Sequence, residues 1–205
     1  DDDGDREARV LEALTVRHRG RWYVAVVTAA NCVSDLCQAR IAQGEVGVAV
    51  YARTLAGRWR LREAMADVVQ LGEFGEYLGD PARIRLGRSR FMIRLPGSFL
   101  SMGFAGTYDV YLGYSFGGLE LLTVSTYIGT GGDNLGSGCT GGECYEWSGV
   151  TSRIPAPGSW PTLVVDLTGT RPGPDGGPPV DVTGIADIYA YSVLDGTYLP
   201  PPVGD

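Results

Sequence analysis

The pentapeptide Gly113-Tyr114-Ser115-Phe116-Gly117 matches G-x-S-x-G, the turn that presents a serine nucleophile at the end of a strand. Such a serine attacks only once a histidine takes its proton, and in the hydrolase fold built on this elbow the histidine follows the serine. The chain has one histidine, His18, far upstream of Ser115 in the turn-like Arg17-His18-Arg19-Gly20. Ser115 is therefore read as part of a Gly-rich β-turn. A single histidine also excludes a His-rich metal site, and H-E-x-x-H is absent. Carboxylate-pair hydrolysis stays open in principle, but among 24 acidic residues nothing singles out Glu73/Glu76 or Asp109/Glu120.

The opening Asp1-Asp2-Asp3-Gly4-Asp5 resembles part of a D-x-D-G-D calcium loop. Asp1, Asp3 and Asp5 would supply the alternating oxygens that a hard cation requires, which makes Ca2+ the one cofactor to expect. Arg6 stands where that loop usually has Gly, and only Glu7 or Glu12 offers a closing ligand. The alternative is a frayed acidic terminus.

Four cysteines form two C-x4-C pairs, Cys32/Cys37 and Cys139/Cys144. Local disulfides, Cys32–Cys37 and Cys139–Cys144, are the favoured reading, formed in an oxidising compartment. One four-thiolate zinc site is the rival, although structural zinc prefers tighter C-x2-C knuckles.

The second pair lies in Gly129–Gly149 (GTGGDNLGSGCTGGECYEWSG), which reads as a long loop held by its own staple. Pre-organisation lowers the entropy lost on binding, and Tyr and Trp are favoured interface anchors. The loop is either a binding element or a stapled hairpin whose aromatics, Tyr145 and Trp147, cap the core.

Strands must position these residues. Alternating, β-branched or aromatic runs occur at Val10–Val16, Trp22–Ala29, Glu45–Tyr51, Arg83–Leu86, Phe91–Leu95, Tyr108–Tyr114, Leu119–Tyr127, Leu163–Thr168 and Ile185–Val193. Turn signals separate them, among them Arg19-Gly20-Arg21, Ala56-Gly57-Arg58, Pro96-Gly97, Ala105-Gly106 and Asp195-Gly196. Only Trp59–Leu71 divides evenly between helix and strand. The pattern predicts an all-β, antiparallel, multi-stranded fold, propeller-like or sandwich, with at most one short helix. A single domain is expected over 1–205, with a flexible connection at 171–179 and a tail at 200–205.

Composition narrows the setting. Hydrophobic residues make up 44% and charged residues 20%, as in globular chains. No apolar run is long enough to span a bilayer. The abrupt acidic start reads as a mature or trimmed form lacking its targeting segment, and the staples place it in the periplasm or outside the cell, with an outer-membrane lipid anchor compatible. All 17 basic residues are Arg, and the net charge of −7 disfavours nucleic acid or an anionic membrane as partner.

In layout, the chain resembles bacterial periplasmic lysozyme inhibitors and the immunity proteins that protect against peptidoglycan-hydrolase effectors. The Ser137-Gly138 pair followed by Tyr145 is similar to the Ser-Gly-x-Tyr-like loop of those inhibitors, with the C-T-G-G-E-C staple inserted between. Asp1, Asp3 and Asp5 would match the calcium loop that some of these proteins carry. The resemblance implies a non-enzymatic inhibitor whose loop enters the cleft of a basic muramidase, with Ser137, Gly138 and Tyr145 inserting and Glu143 or Trp147 at the rim. A carbohydrate-binding or adhesive domain is the alternative, and a hydrolase using Ser115 or a carboxylate pair the third reading.

Overall fold

The computed structural model describes residues 6–32, 43–72, 77, 79–86, 90–101, 103–115, 127–140, 143–156, 159–173, 177–199 and 201. They form an all-β fold of antiparallel strands: β1 (Arg6–His18), β2 (Arg21–Cys32), β3 (Gly44–Arg53), β4 (Trp59–Leu71), β5 (Ala82–Arg85), β6 (Arg90–Ser101), β7 (Phe104–Ser115), β8 (Tyr127–Asp133), β9 (Glu146–Ile154), β10 (Thr162–Arg171), β11 (Val180–Asp181), β12 (Ala186–Ser192) and β13 (Thr197–Leu199). Among the described residues there is no α-helix, and no helix is long and apolar enough to cross a membrane.

Two open sheets result. One has the order β1-β2-β3-β4; the other runs β13-β12-β10-β9-β8-β7-β6-β5, with β11 pairing β10. The chain divides into two compact units, residues 1–97 with 111–125, and residues 98–110 with 126–205. The strands β6 and β7 are therefore shared between units.

In the first unit, alternation drives burial. Ala25, Val27 and Ala29 are buried at every second position of β2 and Val46, Val48 and Val50 at every second position of β3, with Leu14 of β1 beside them, as a sheet with one apolar face requires. The segment Trp59–Leu71 resolves as strand β4, paired with β3 from Arg53↔Trp59 to Gly44↔Leu71. Pairing to a buried neighbour outweighs the helix propensity of its Leu, Ala and Met residues. The Arg19-Gly20 and Ala56-Gly57 turns stand where the sequence puts them.

In the second unit Leu163, Val165 and Leu167 of β10 alternate inward, joined by Trp160, Tyr189 and Tyr198. The Tyr198 hydroxyl donates to the Pro161 carbonyl at 2.7 Å. Two expected turns lie inside strands instead: Pro96-Gly97 within β6 and Ala105-Gly106 within β7. The chain reverses between β6 and β7 at Gly103, whose φ of 84° suits Gly. Arg171 ends β10 and pairs with Val180, so the connection begins after it. Of the expected strand Leu119–Tyr127, residues 119–126 lie outside the described residues.

Candidate functional site

The expected long loop over Gly129–Gly149 is shorter than its sequence indicates. Residues up to Asp133 belong to β8 and those from Glu146 to β9, paired as Gly131↔Ser148, Gly132↔Trp147 and Asp133↔Glu146. Beyond the ladder, Asn134 N–H donates to the Tyr145 carbonyl at 3.3 Å. Residues 134–145 form the true connection, and the Cys139–Cys144 disulfide closes it, with Cα atoms 5.3 Å apart. That bond removes the zinc alternative for these two cysteines. Cys32 is also disulfide-bonded, and its expected partner Cys37 lies outside the described residues.

Asn134 organises the connection. Only 7% of it is exposed. Its side-chain oxygen accepts the Tyr145 N–H at 2.8 Å, and its amide donates to the Glu143 carbonyl at 2.9 Å. The Asn134 carbonyl accepts both the Ser137 N–H at 3.0 Å and the Ser137 hydroxyl at 2.6 Å. One buried side chain and its own backbone thus tie together Ser137, Glu143 and Tyr145, three of the residues singled out from sequence. The turn over Leu135–Ser137 starts with the Leu135 N–H on the Asp133 carboxylate at 3.1 Å and ends at Gly138, φ 77°. Leu135, Gly136, Ser137, Gly138 and Glu143 are exposed, while Tyr145 is half-buried at the base. Ser137 and Tyr145 therefore differ in exposure within the element.

The β6–β7 reversal buttresses this turn. A Cβ on Gly103 would lie 2.3 Å from the backbone of Gly136 and Ser137, so the two segments touch main chain to main chain. Exposed apolar side chains flank the contact: Leu135 at 54%, Phe99 at 49%, Leu100 at 48% and Phe104 at 44%.

Trp147 has a role within its own sheet. It lies in β9, with its indole over Gly129 and Gly132. The Arg171 guanidinium stacks on it, 4.2 Å from the ring centroid, and is ion-paired to Asp187 at 2.7 Å. Glycine weakens a strand by leaving nothing to pack, and a cross-strand aromatic laid over it restores the contact. This covering explains why the Gly-rich segment Gly129–Asp133 is a strand.

Of the other expected residues, Ser115, Asp109 and His18 fall among the described ones. Asp1, Asp3 and Asp5 lie outside the described residues, as do Glu73, Glu76, Glu120, Phe116 and Gly117. Ser115 closes β7, its side chain outside what is described. Asp109 is buried in the same strand. His18 ends β1 opposite Arg21 and is half-buried. Among the described residues no three His, Cys, Asp or Glu side chains are grouped to hold a metal ion.

Sequence reasoning missed Asn134 and Gly103. Asn-Leu-Gly looks like any polar turn, and the only available signal was the placement of an Asn just before the staple. No protein-family model matches the chain, and no curated protein or solved structure matches it.

Proposed function

We propose that the chain is an exported, non-enzymatic binding protein that blocks a basic, lysozyme-type cell-wall hydrolase by seating the 134–145 turn in its active-site cleft. One observation carries this reading: the exposed apex at 135–138 is already fixed by the disulfide, by Asn134 and by the Gly103 buttress. A surface so ordered before contact has little conformational entropy left to lose on binding. Phe99, Phe104 and Leu135 supply the apolar centre that protein interfaces need.

Charge supports a basic partner. Residues 98–205 carry two Arg against eleven Asp or Glu, so the segment that bears the turn is strongly acidic. That field raises the association rate with a cationic enzyme. Muramidases work with one protonated and one ionised carboxyl group. The Ser137 hydroxyl already donates to Asn134, so its free lone pairs suit the protonated carboxyl and not the ionised one. Trp147 stays with its own sheet.

The test is inhibition of muramidase turnover on peptidoglycan by the full chain. The parent should inhibit at stoichiometric concentrations, and Leu135→Asp, which places a charge at the apex, should weaken inhibition at least tenfold. A folded Leu135→Asp protein that inhibits as well as the parent would remove the turn from the interface.

A further inference from the structure

The segments 13–30 and 46–62 contain no Asp or Glu, yet they hold seven arginines: Arg17, Arg19, Arg21, Arg53, Arg58, Arg60 and Arg62. The order β1-β2-β3-β4 brings the Arg19-Gly20 turn and the 54–58 turn to the same end of the first sheet. The pairing Val16↔Tyr23↔Ala52↔Arg60 puts those four residues on one face. Arg21, two residues before Tyr23, shares that face with Arg60. Arg21, Arg53, Arg58, Arg60 and Arg62, with Leu55, line a concavity of about 570 Å³, and among the described residues no carboxylate lines it. That size lies in the range of small-molecule sites.

The frame around these guanidinium groups is set by short-range bonds. Arg53 Nε donates to the Gly57 carbonyl at 3.3 Å. The Thr54 hydroxyl accepts the Arg58 N–H at 3.1 Å, and Thr54 N–H donates back to the Arg58 carbonyl at 2.7 Å. On the opposite face Arg17 lies over Trp22, 5.7 Å from the ring centroid. Arg19 has φ 46°, a conformation that favours Gly or Asn, so the turn keeps an arginine where local preference would choose otherwise. Among the described residues none of the five lining arginines is ion-paired, unlike Arg6 with Glu45 and Arg171 with Asp187.

Like charges converging on one concavity repel, and this chain has a net charge of −7, so carboxylates to neutralise them were not scarce. The balancing charge has to come from outside the lining. We propose that this end of the β1–β4 sheet binds a small ligand bearing two or more clustered oxyanion groups, a phosphate or a sulfate ester, gripped by bidentate guanidinium contacts. Guanidinium forks match the spacing of such oxygens. The concave shape and its volume favour a small ligand over an extended polyanion.

Titration calorimetry on the full chain with inorganic tripolyphosphate tests this, beside orthophosphate, a fully sulfated disaccharide, and sodium chloride at matched ionic strength. Tripolyphosphate or the sulfated disaccharide should bind at one site per chain, at least tenfold tighter than orthophosphate, and weaken with added salt. The tighter of the two assigns the ester type. The double variant Arg58→Gln/Arg60→Gln should lose at least tenfold in affinity, while Leu194→Ser, at a fully exposed position of the other compact unit, should bind as the parent does. Should the double variant fail to fold, Arg21→Gln and Arg62→Gln are read singly, each expected to lose several-fold. Binding no tighter than chloride at equal ionic strength, or an affinity unchanged in the Gln variants, overturns the proposal.

Discussion

The side-chain oxygen of Asn134 accepts the backbone N–H of Tyr145 at 2.8 Å, across the mouth of a turn closed by a disulfide. The same amide donates to the carbonyl of Glu143, so one side chain spans the turn from both of its polar ends. A buried amide used this way replaces two ladder bonds that the chain cannot make once β8 and β9 diverge.

Asn134→Ala should therefore cost more than a surface change. It strips a donor and an acceptor from partners that are partly buried, each worth about 1–3 kcal/mol when left unsatisfied. The expected loss is about 2–4 kcal/mol by urea denaturation. Asn134→Asp keeps the acceptor for Tyr145 but sets a carboxylate oxygen against the Glu143 carbonyl, and should recover only part of that loss. A change below about 0.5 kcal/mol in the Ala variant would mean that the disulfide alone shapes the turn.

The disulfide acts on the unfolded chain as well. Cys139 and Cys144 are five residues apart, and closing so short a loop removes chain entropy worth about 2 kcal/mol. Cys139→Ser/Cys144→Ser should lower stability by about that amount. Faster amide exchange should be confined to residues near 134–145, because β8 and β9 remain paired at Gly131↔Ser148 and Gly132↔Trp147. Loss of protection throughout β8, β9 and β10 would show instead that the staple holds the strands themselves.

Gly103 meets two demands at once. Its φ of 84° disfavours any Cβ, and that Cβ would lie 2.3 Å from Gly136 and Ser137 main-chain atoms. Gly103→Ala should cost about 1–2 kcal/mol from backbone strain alone, with a further loss as the 134–138 turn is pushed away. Muramidase inhibition should fall with it while tripolyphosphate binding stays unchanged. Equal loss of both would point to general misfolding.

The alternation of Val, Leu and Ala in β2, β3 and β10 was legible because each of these strands buries one face, and burial has a period of two. Strand β8 was not, since Tyr127–Asp133 is nearly half glycine and its stability comes from Trp147 and Arg171, far off in the chain. The Ala105-Gly106 signal misled for a related reason: the Phe99 ring lies where a Cβ on Gly106 would be, so this Gly makes room rather than a turn. Within the site, Ser137, Glu143 and Tyr145 could be named from their types, but Asn134, which joins them, could not. The arginine end was hidden by averaging. A net charge of −7 conceals that fifteen of the seventeen arginines precede residue 95.

Tyr114 gives a pH dependence with a definite sign. Its phenol is pushed up to about 12, first by burial and then by the Glu63 carboxylate and Tyr23, with Arg62 opposing. The group becomes charged on losing its proton, so the folded state, with the higher pKa, holds that proton more tightly than the unfolded chain near pH 10. Its stabilising contribution is complete below pH 10 and is lost as pH rises toward 12, amounting to about 2–3 kcal/mol over that interval. Tyr114→Phe removes the ionisation and keeps the ring that packs 5.5 Å from Phe91. Urea midpoints at pH 9, 10, 11 and 12 should fall more steeply for the parent than for Tyr114→Phe. Parallel curves would mean that the phenol ionises without opposing the fold, and would separate Tyr114 from the buried setting it shares with Phe91.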